Sequence, residues 1–135
     1  MAHILIVDDD EEIRILLSEI LRQAGHTVLT ANNGQTGLET IKTKNIDLVI
    51  TDIFMPEMDG IDLLVSILNT YPNSKIIAIS GGHKAMNAQL TLKMAQSFGA
   101  VDVITKPFQA NVLINKIERA LHSMDIRTKE DMVVT

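Results

Sequence analysis

The residues best suited to chemistry fall at the ends of apolar runs. "HILIV" (3–7) stops at Asp8, Asp9 and Asp10; "DLVI" (47–50) leads through Thr51 to Asp52; "KIIAI" (75–79) leads to Ser80 and Gly81; "DVIT" (102–105) ends at Lys106. If each run is a strand and the strands lie parallel, these carboxylates, a hydroxyl and an ammonium group converge on one edge of a sheet. Carboxylates held together repel and raise one another's pKa unless a cation sits among them. Hard oxygen ligands that leave room for water suit Mg²⁺. With its charge shielded in this way, a carboxylate such as Asp52 can attack a phosphoryl group as a nucleophile and form an aspartyl phosphate. Lys106 and Ser80 then supply donors for the charge on the equatorial oxygens of the transferring group.

Positioning these groups is a task for the elements between them. Short apolar runs without polar alternation, including "TVLTA" (27–31), suit a parallel sheet covered on both faces. The intervening stretches carry helical spacing. Ile13, Leu16, Leu17, Ile20, Leu21 and Ala24 predict a first helix, ending at Gly25 in the C′ position. Leu38 and Ile41 mark a second after the Asn33-Gly34 turn, and Ile61, Leu64, Val65 and Leu68 a third, from near Gly60 to before Pro72. Met86, Leu90, Met94 and Phe98 suggest a fourth ended by Gly99; Leu113, Ile117 and Leu121 suggest a fifth. Five strands alternating with five helices, joined by right-handed crossovers, predict a doubly wound α/β sandwich. Ligands in such sheets bind outside the carboxyl ends of the strands, near the topological switch point. After Asp52, Pro56 and the Asp59-Gly60 pair turn the chain and leave the carboxylate at the lip of a loop.

The composition narrows the classes open to the protein. A chain of 135 residues fits one domain, and 46% hydrophobic with 21% charged residues is the balance of a soluble globular protein. Without cysteine there is neither a disulfide framework nor a thiolate metal site, which suits a cytoplasmic location. No apolar run is long enough for a signal-peptide core or a bilayer span, so membrane insertion is not expected. A net charge of −5 argues against direct nucleic-acid binding, which leans on basic residues. Asp10, Glu11 and Glu12 read as a favourable helix N-terminus, and Ile13 stands where a calcium loop over residues 8–19 needs glycine. The scattered histidines form no zinc pair.

Taken in order, "ILIVDDD", "DLVITDIFMPEMDG", "IIAISGG" and "ITKPF" make the chain, from about residue 3 to about residue 122, resemble the receiver domain of two-component response regulators. The resemblance implies a flavodoxin-like sheet of strand order 2-1-3-4-5 with five helices. Asp52 would accept the phosphoryl group and share a Mg²⁺ ion with Asp9, with Asp8 directly or through water, and with the backbone carbonyl of Phe54. Ser80 and Lys106 would hold the phosphoryl oxygens, and the Lys106–Pro107 bond would be cis. The implied donor is a phosphohistidine on a histidine kinase or histidine phosphotransfer protein, docking on the exposed part of the first helix near Arg14, Ile15 and Ser18. The output is contact with a downstream protein or onward transfer in a phosphorelay.

Such a protein is a signalling receiver rather than an enzyme in the ordinary sense, although it assists its own phosphorylation and dephosphorylation. Residues 1–123 are expected to form a stand-alone receiver domain and residues 124–135 a short flexible tail. Two departures stand out: Val103 occupies the position where the family usually has an aromatic switch residue, and the stretch from Ser80 to Gly99 runs longer than usual. A phosphatase or phosphotransferase of the haloacid-dehalogenase type would need Asp-x-Asp, but Phe54 fills the second position. An unphosphorylated scaffold with a relic site is the other alternative, and intact Asp8, Asp9, Asp52, Ser80 and Lys106 weigh against it.

Overall fold

Runs of β-branched and aliphatic residues with no polar alternation can be stable strands only where both faces of the sheet are covered, and that is how the chain resolves them. The computed structural model describes residues 1–53, 60–81 and 88–122. Five strands, β1 (His3–Val7), β2 (Thr27–Ala31), β3 (Leu48–Asp52), β4 (Ile76–Gly81) and β5 (Asp102–Lys106), alternate with five helices. The helices are α1 (Glu11–Gln23), α2 (Gly34–Thr43), α3 (Gly60–Thr70), α4 (Ala88–Ser97) and α5 (Ala110–His122). All strand pairs are parallel, and the order is β2-β1-β3-β4-β5, the flavodoxin-like order expected from the sequence. The expected tail, 124–135, lies outside the described residues, as do residues 82–87 of the long connection after Ser80.

Alternation along each strand divides the core in two. Ile4 and Ile6 of β1, Leu48 and Ile50 of β3, Ile77 and Ile79 of β4 and Ile104 of β5 face Leu17 and Leu21 of α1 and Leu113 and Ile117 of α5. Their neighbours Leu5, Val7, Val49, Ala78 and Val103 face the opposite way, against Leu63, Leu64 and Ile67 of α3, Ala95 of α4 and the edge of α2. Val103, the residue in place of an aromatic, is thus a small β-branched member of this second core.

Helix ends follow local chemistry. Asp10 caps α1 by accepting from the Glu12 amide at 2.9 Å, as its helix-start reading predicts, and Asn33 caps α2 through the Thr36 amide at 2.8 Å. At the far end of α1, Gly25 adopts φ +96°; its amide reaches the Arg22 carbonyl while the His26 amide reaches Leu21, the paired bonds of a Schellman motif. Gly99 closes α4 in the same way at φ +113°.

One expectation needs correction. The apolar runs ended at Ile50, Ile79 and Thr105, whereas the ladders continue: Thr51 and Asp52 pair with Ala78 and Ile79, and Ser80 and Gly81 pair with Thr105 and Lys106. Asp52, Ser80 and Lys106 are therefore strand residues rather than the first residues of loops, because backbone pairing is indifferent to where side-chain polarity begins.

Candidate functional site

The chain leaves β1 toward one edge of the sheet to form β2 and returns to form β3 on the other side of β1. At that switch point the carboxyl ends of β1 and β3 lie side by side, with Val7 paired to Thr51. Asp8 directly follows β1 and Asp52 ends β3. Asp8, Asp9 and Asp52 each place a carboxylate oxygen within 4.8 Å of the others. Asp8 is fully buried and Asp52 is 7% exposed, while Asp9 faces solvent.

Lys106, at the end of β5, reaches across to this cluster. Its Nζ donates to Asp52 Oδ2 at 3.1 Å and to Asp8 Oδ2 at 3.4 Å. Burial acts to lower the Lys106 pKa, but the charges of Asp52 and Asp8 outweigh it and raise the ammonium above its ordinary value. Burial likewise pushes the Asp8 carboxyl up to about 6, helped by the charge of Asp52 and opposed by the Asp10 amide and by Lys106. The Asp10 amide donates to Asp8 Oδ1 at 2.9 Å. The Lys106–Pro107 peptide is cis, as the resemblance implied.

Ser80 lies on β4, between β3 and β5, and is 1% exposed. Its Oγ is buried without a hydrogen-bond partner among the described residues. A buried hydroxyl left unpaired costs about 1–3 kcal/mol, so the arrangement favours a ligand that supplies an acceptor. Among the described residues, the three carboxylates outnumber the cations in contact with this cluster and its turn, Lys106 and Arg14. The donor set thus fits a hard divalent cation together with a group bearing anionic oxygens. Of the residues expected here, Asp8, Asp9, Asp52 and Lys106 are brought together, and Ser80 stands on the neighbouring strand end. Phe54, whose backbone carbonyl was the fourth expected metal ligand, lies outside the described residues.

Two residues belong to this neighbourhood that sequence reading did not assign to it. Arg14 Nη1 donates to the Asp8 carbonyl at 2.8 Å and braces the turn between β1 and α1. Gly60, read as closing a turn and as lying near the start of the third helix, begins α3 as expected, and its amide donates to the Ile53 carbonyl at 2.8 Å. Neither contact is visible in spacing alone, since each depends on the path of the chain. The first helix also needs a correction: Ser18, expected on its exposed docking surface, is buried, while Ile15 and Leu16 are 51% and 46% exposed. Among the described residues, no helix is long and apolar enough to cross a membrane.

Comparison with known proteins agrees with this geometry. The sequence model of the response regulator receiver domain matches residues 4–118. The chemotaxis protein CheY of Thermotoga maritima is 39% identical over 117 residues, a match spanning 86% of this chain and 94% of CheY. The DNA-binding transcriptional regulator NtrC of Azospirillum brasilense is 38% identical over 122 residues; there the match takes in 90% of this chain but only 24% of NtrC. Among solved structures, the receiver domain of NtrX from Brucella abortus superposes with a TM-score of 0.83 at 36% identity, covering 90% of this chain and 99% of that domain.

Proposed function

The chain belongs to the response regulator receiver family, and from that premise we propose that Asp52 takes a phosphoryl group from a phosphohistidine and that the phosphorylated protein signals by contact with another protein or passes the group along a phosphorelay. Receiver domains of the CheY type are signalling proteins, and the reading here is of a switch. The observation that supports it most directly is the buried Asp52 carboxylate held 3.1 Å from Lys106 inside an acidic cluster. One Asp52 oxygen forms the new bond to phosphorus as the phosphorus–nitrogen bond of the donor breaks, its electron pair leaving with the imidazole. Lys106, already fixed to Asp52 and Asp8, moves its hydrogen bonds onto the phosphoryl oxygens, and the Ser80 hydroxyl, which has no partner among the described residues, donates to another. Attack by water on the phosphorus later returns the Asp52 carboxylate and inorganic phosphate.

Asp8, Asp9 and Asp52 are the side chains that would hold Mg²⁺, with the Phe54 carbonyl as a further ligand. The ion supplies charge neutralisation for the carboxylates and for the incoming phosphoryl oxygens. The donor is a histidine kinase or histidine phosphotransfer protein. The test is intact-protein mass after incubation with Mg²⁺ and acetyl phosphate, beside Asp52→Asn and a chelated control. Gain of one phosphoryl group that vanishes in both controls is the expected result. No gain under conditions where Mg²⁺ binding is demonstrated, and none from a phosphohistidine donor, would instead make the protein a scaffold with a relic site.

A further inference from the structure

We propose that Gly60, with Thr51, is a positioning device for Asp52: together they clamp its backbone carbonyl and so set where its carboxylate stands. The inference rests on the reading of Asp52 as phosphoacceptor and metal ligand, and concerns what holds it there. An added Cβ at Gly60 would overlap the Asp52 carbonyl oxygen and lie 2.6 Å from the Ile53 Cα and 2.8 Å from the Asp52 carbonyl carbon. The returning chain is thus laid directly on the end of β3. It is fastened there by the bond from the Gly60 amide to the Ile53 carbonyl at 2.8 Å. The same Asp52 oxygen accepts from the buried Thr51 Oγ1 at 3.0 Å. A hydrogen bond from within β3 and the close approach of α3 therefore meet on one peptide group.

Carbon atoms at ordinary contact sit about 3.5–4.0 Å apart, so a methyl group at residue 60 forces these backbones apart by about 1 Å. Asp52 has little tolerance for that, because its carboxylate must meet Lys106 and the carboxylates of Asp8 and Asp9 at the same time. Displacement of a reacting group by about 1 Å can cost about 10²-fold in rate. Loss of support behind a metal ligand costs about 10-fold or more in metal affinity.

The deciding experiment measures Mg²⁺ affinity by calorimetric titration, together with the rate of phosphorylation by acetyl phosphate, in the wild type, Gly60→Ala, Asp52→Asn and the double variant. Gly60→Ala should weaken Mg²⁺ about 10-fold and slow phosphorylation about 10²-fold, while adding nothing to the Mg²⁺ defect of Asp52→Asn, since a displaced Asp52 and an absent one are the same loss. Gly99→Ala serves as the structural control. Its φ of +113° and the Leu68 Cδ1 atom 2.5 Å from an added Cβ should lower the melting temperature without changing Mg²⁺ affinity. Should Gly60→Ala not fold, Thr51→Val, which removes the hydroxyl donor at nearly constant volume, must weaken Mg²⁺ in the same sense and be silent in the Asp52→Asn background. Wild-type affinity in the folded glycine variant, or in Thr51→Val where that variant decides, overturns the proposal, as does a penalty that adds to Asp52→Asn. A wild-type protein that takes no phosphoryl group defeats the functional reading alone, and the coupling measured through Mg²⁺ still decides the clamp.

Discussion

Asp8 is fully buried, yet it must be ionised to hold a cation. Burial pushes its carboxyl from about 3.8 to about 6. Between those values the folded protein keeps a proton that the unfolded chain has released, so the stability contributed by this group falls as pH rises from 3.8 to 6 and is level above. Asp8→Asn removes the effect. The stability advantage of that variant over the wild type, measured in chelator by thermal melts, should be small at pH 4 and grow until about pH 6. Mg²⁺ held as proposed would compete with the proton for the same oxygens, so Mg²⁺ affinity of the wild type should weaken as pH falls below about 6. Equal affinity at pH 5 and pH 7.5 would count against Asp8 as a ligand. The Lys106 pKa is raised too, by the charges of Asp52 and Asp8, but for an ammonium that favours the charged form, so Lys106 stays charged across this range.

Element by element, what could be read beforehand was governed by burial. Strands were legible because apolar runs such as "ILIV" are needed on both faces of the sheet. The edge carrying Asp8, Asp9, Asp52, Ser80 and Lys106 was legible because each of those residues follows such a run. The final strand residues were not, since Thr51 and Asp52 continue the ladder after the apolar signal has stopped. The pairing of Lys106 with both Asp8 and Asp52 was hidden too, because it joins residues 98 and 54 positions apart. In α1 the apolar stripe is wider than the contact with the sheet. Leu17 and Leu21 are buried, Ile13 and Ile20 are partly so, and Leu16, from the same stripe, is left in solvent. Leu17→Ala should therefore cost about 2–5 kcal/mol by urea unfolding, against about 0.5 kcal/mol or less for Leu16→Ala. Similar costs for the two would mean that α1 sits on the sheet in another rotation.

At the scale of the whole molecule, the sheet gathers the chemistry at one edge, and α1 carries apolar surface away from that edge. Ile15 and Leu16 lie less than two turns from Asp9 along the chain and are about half exposed, although burial is the usual fate of such side chains. In the proposed function a donor histidine approaches Asp52 from the same edge, and a protein carrying it is large enough to cover α1 as it does so. Acetyl phosphate is not. Replacing Ile15 and Leu16 together with glutamate should therefore slow transfer from a phosphohistidine partner by about 10-fold or more, the loss of one interface anchor, while the rate with acetyl phosphate stays at the wild-type value. Ser18, being buried, cannot contribute such a contact. Measuring both donors on the same preparation separates the causes: equal slowing with both would mean that the helix or the Asp8 turn had been distorted, and no slowing with either would move the docking surface off α1 altogether.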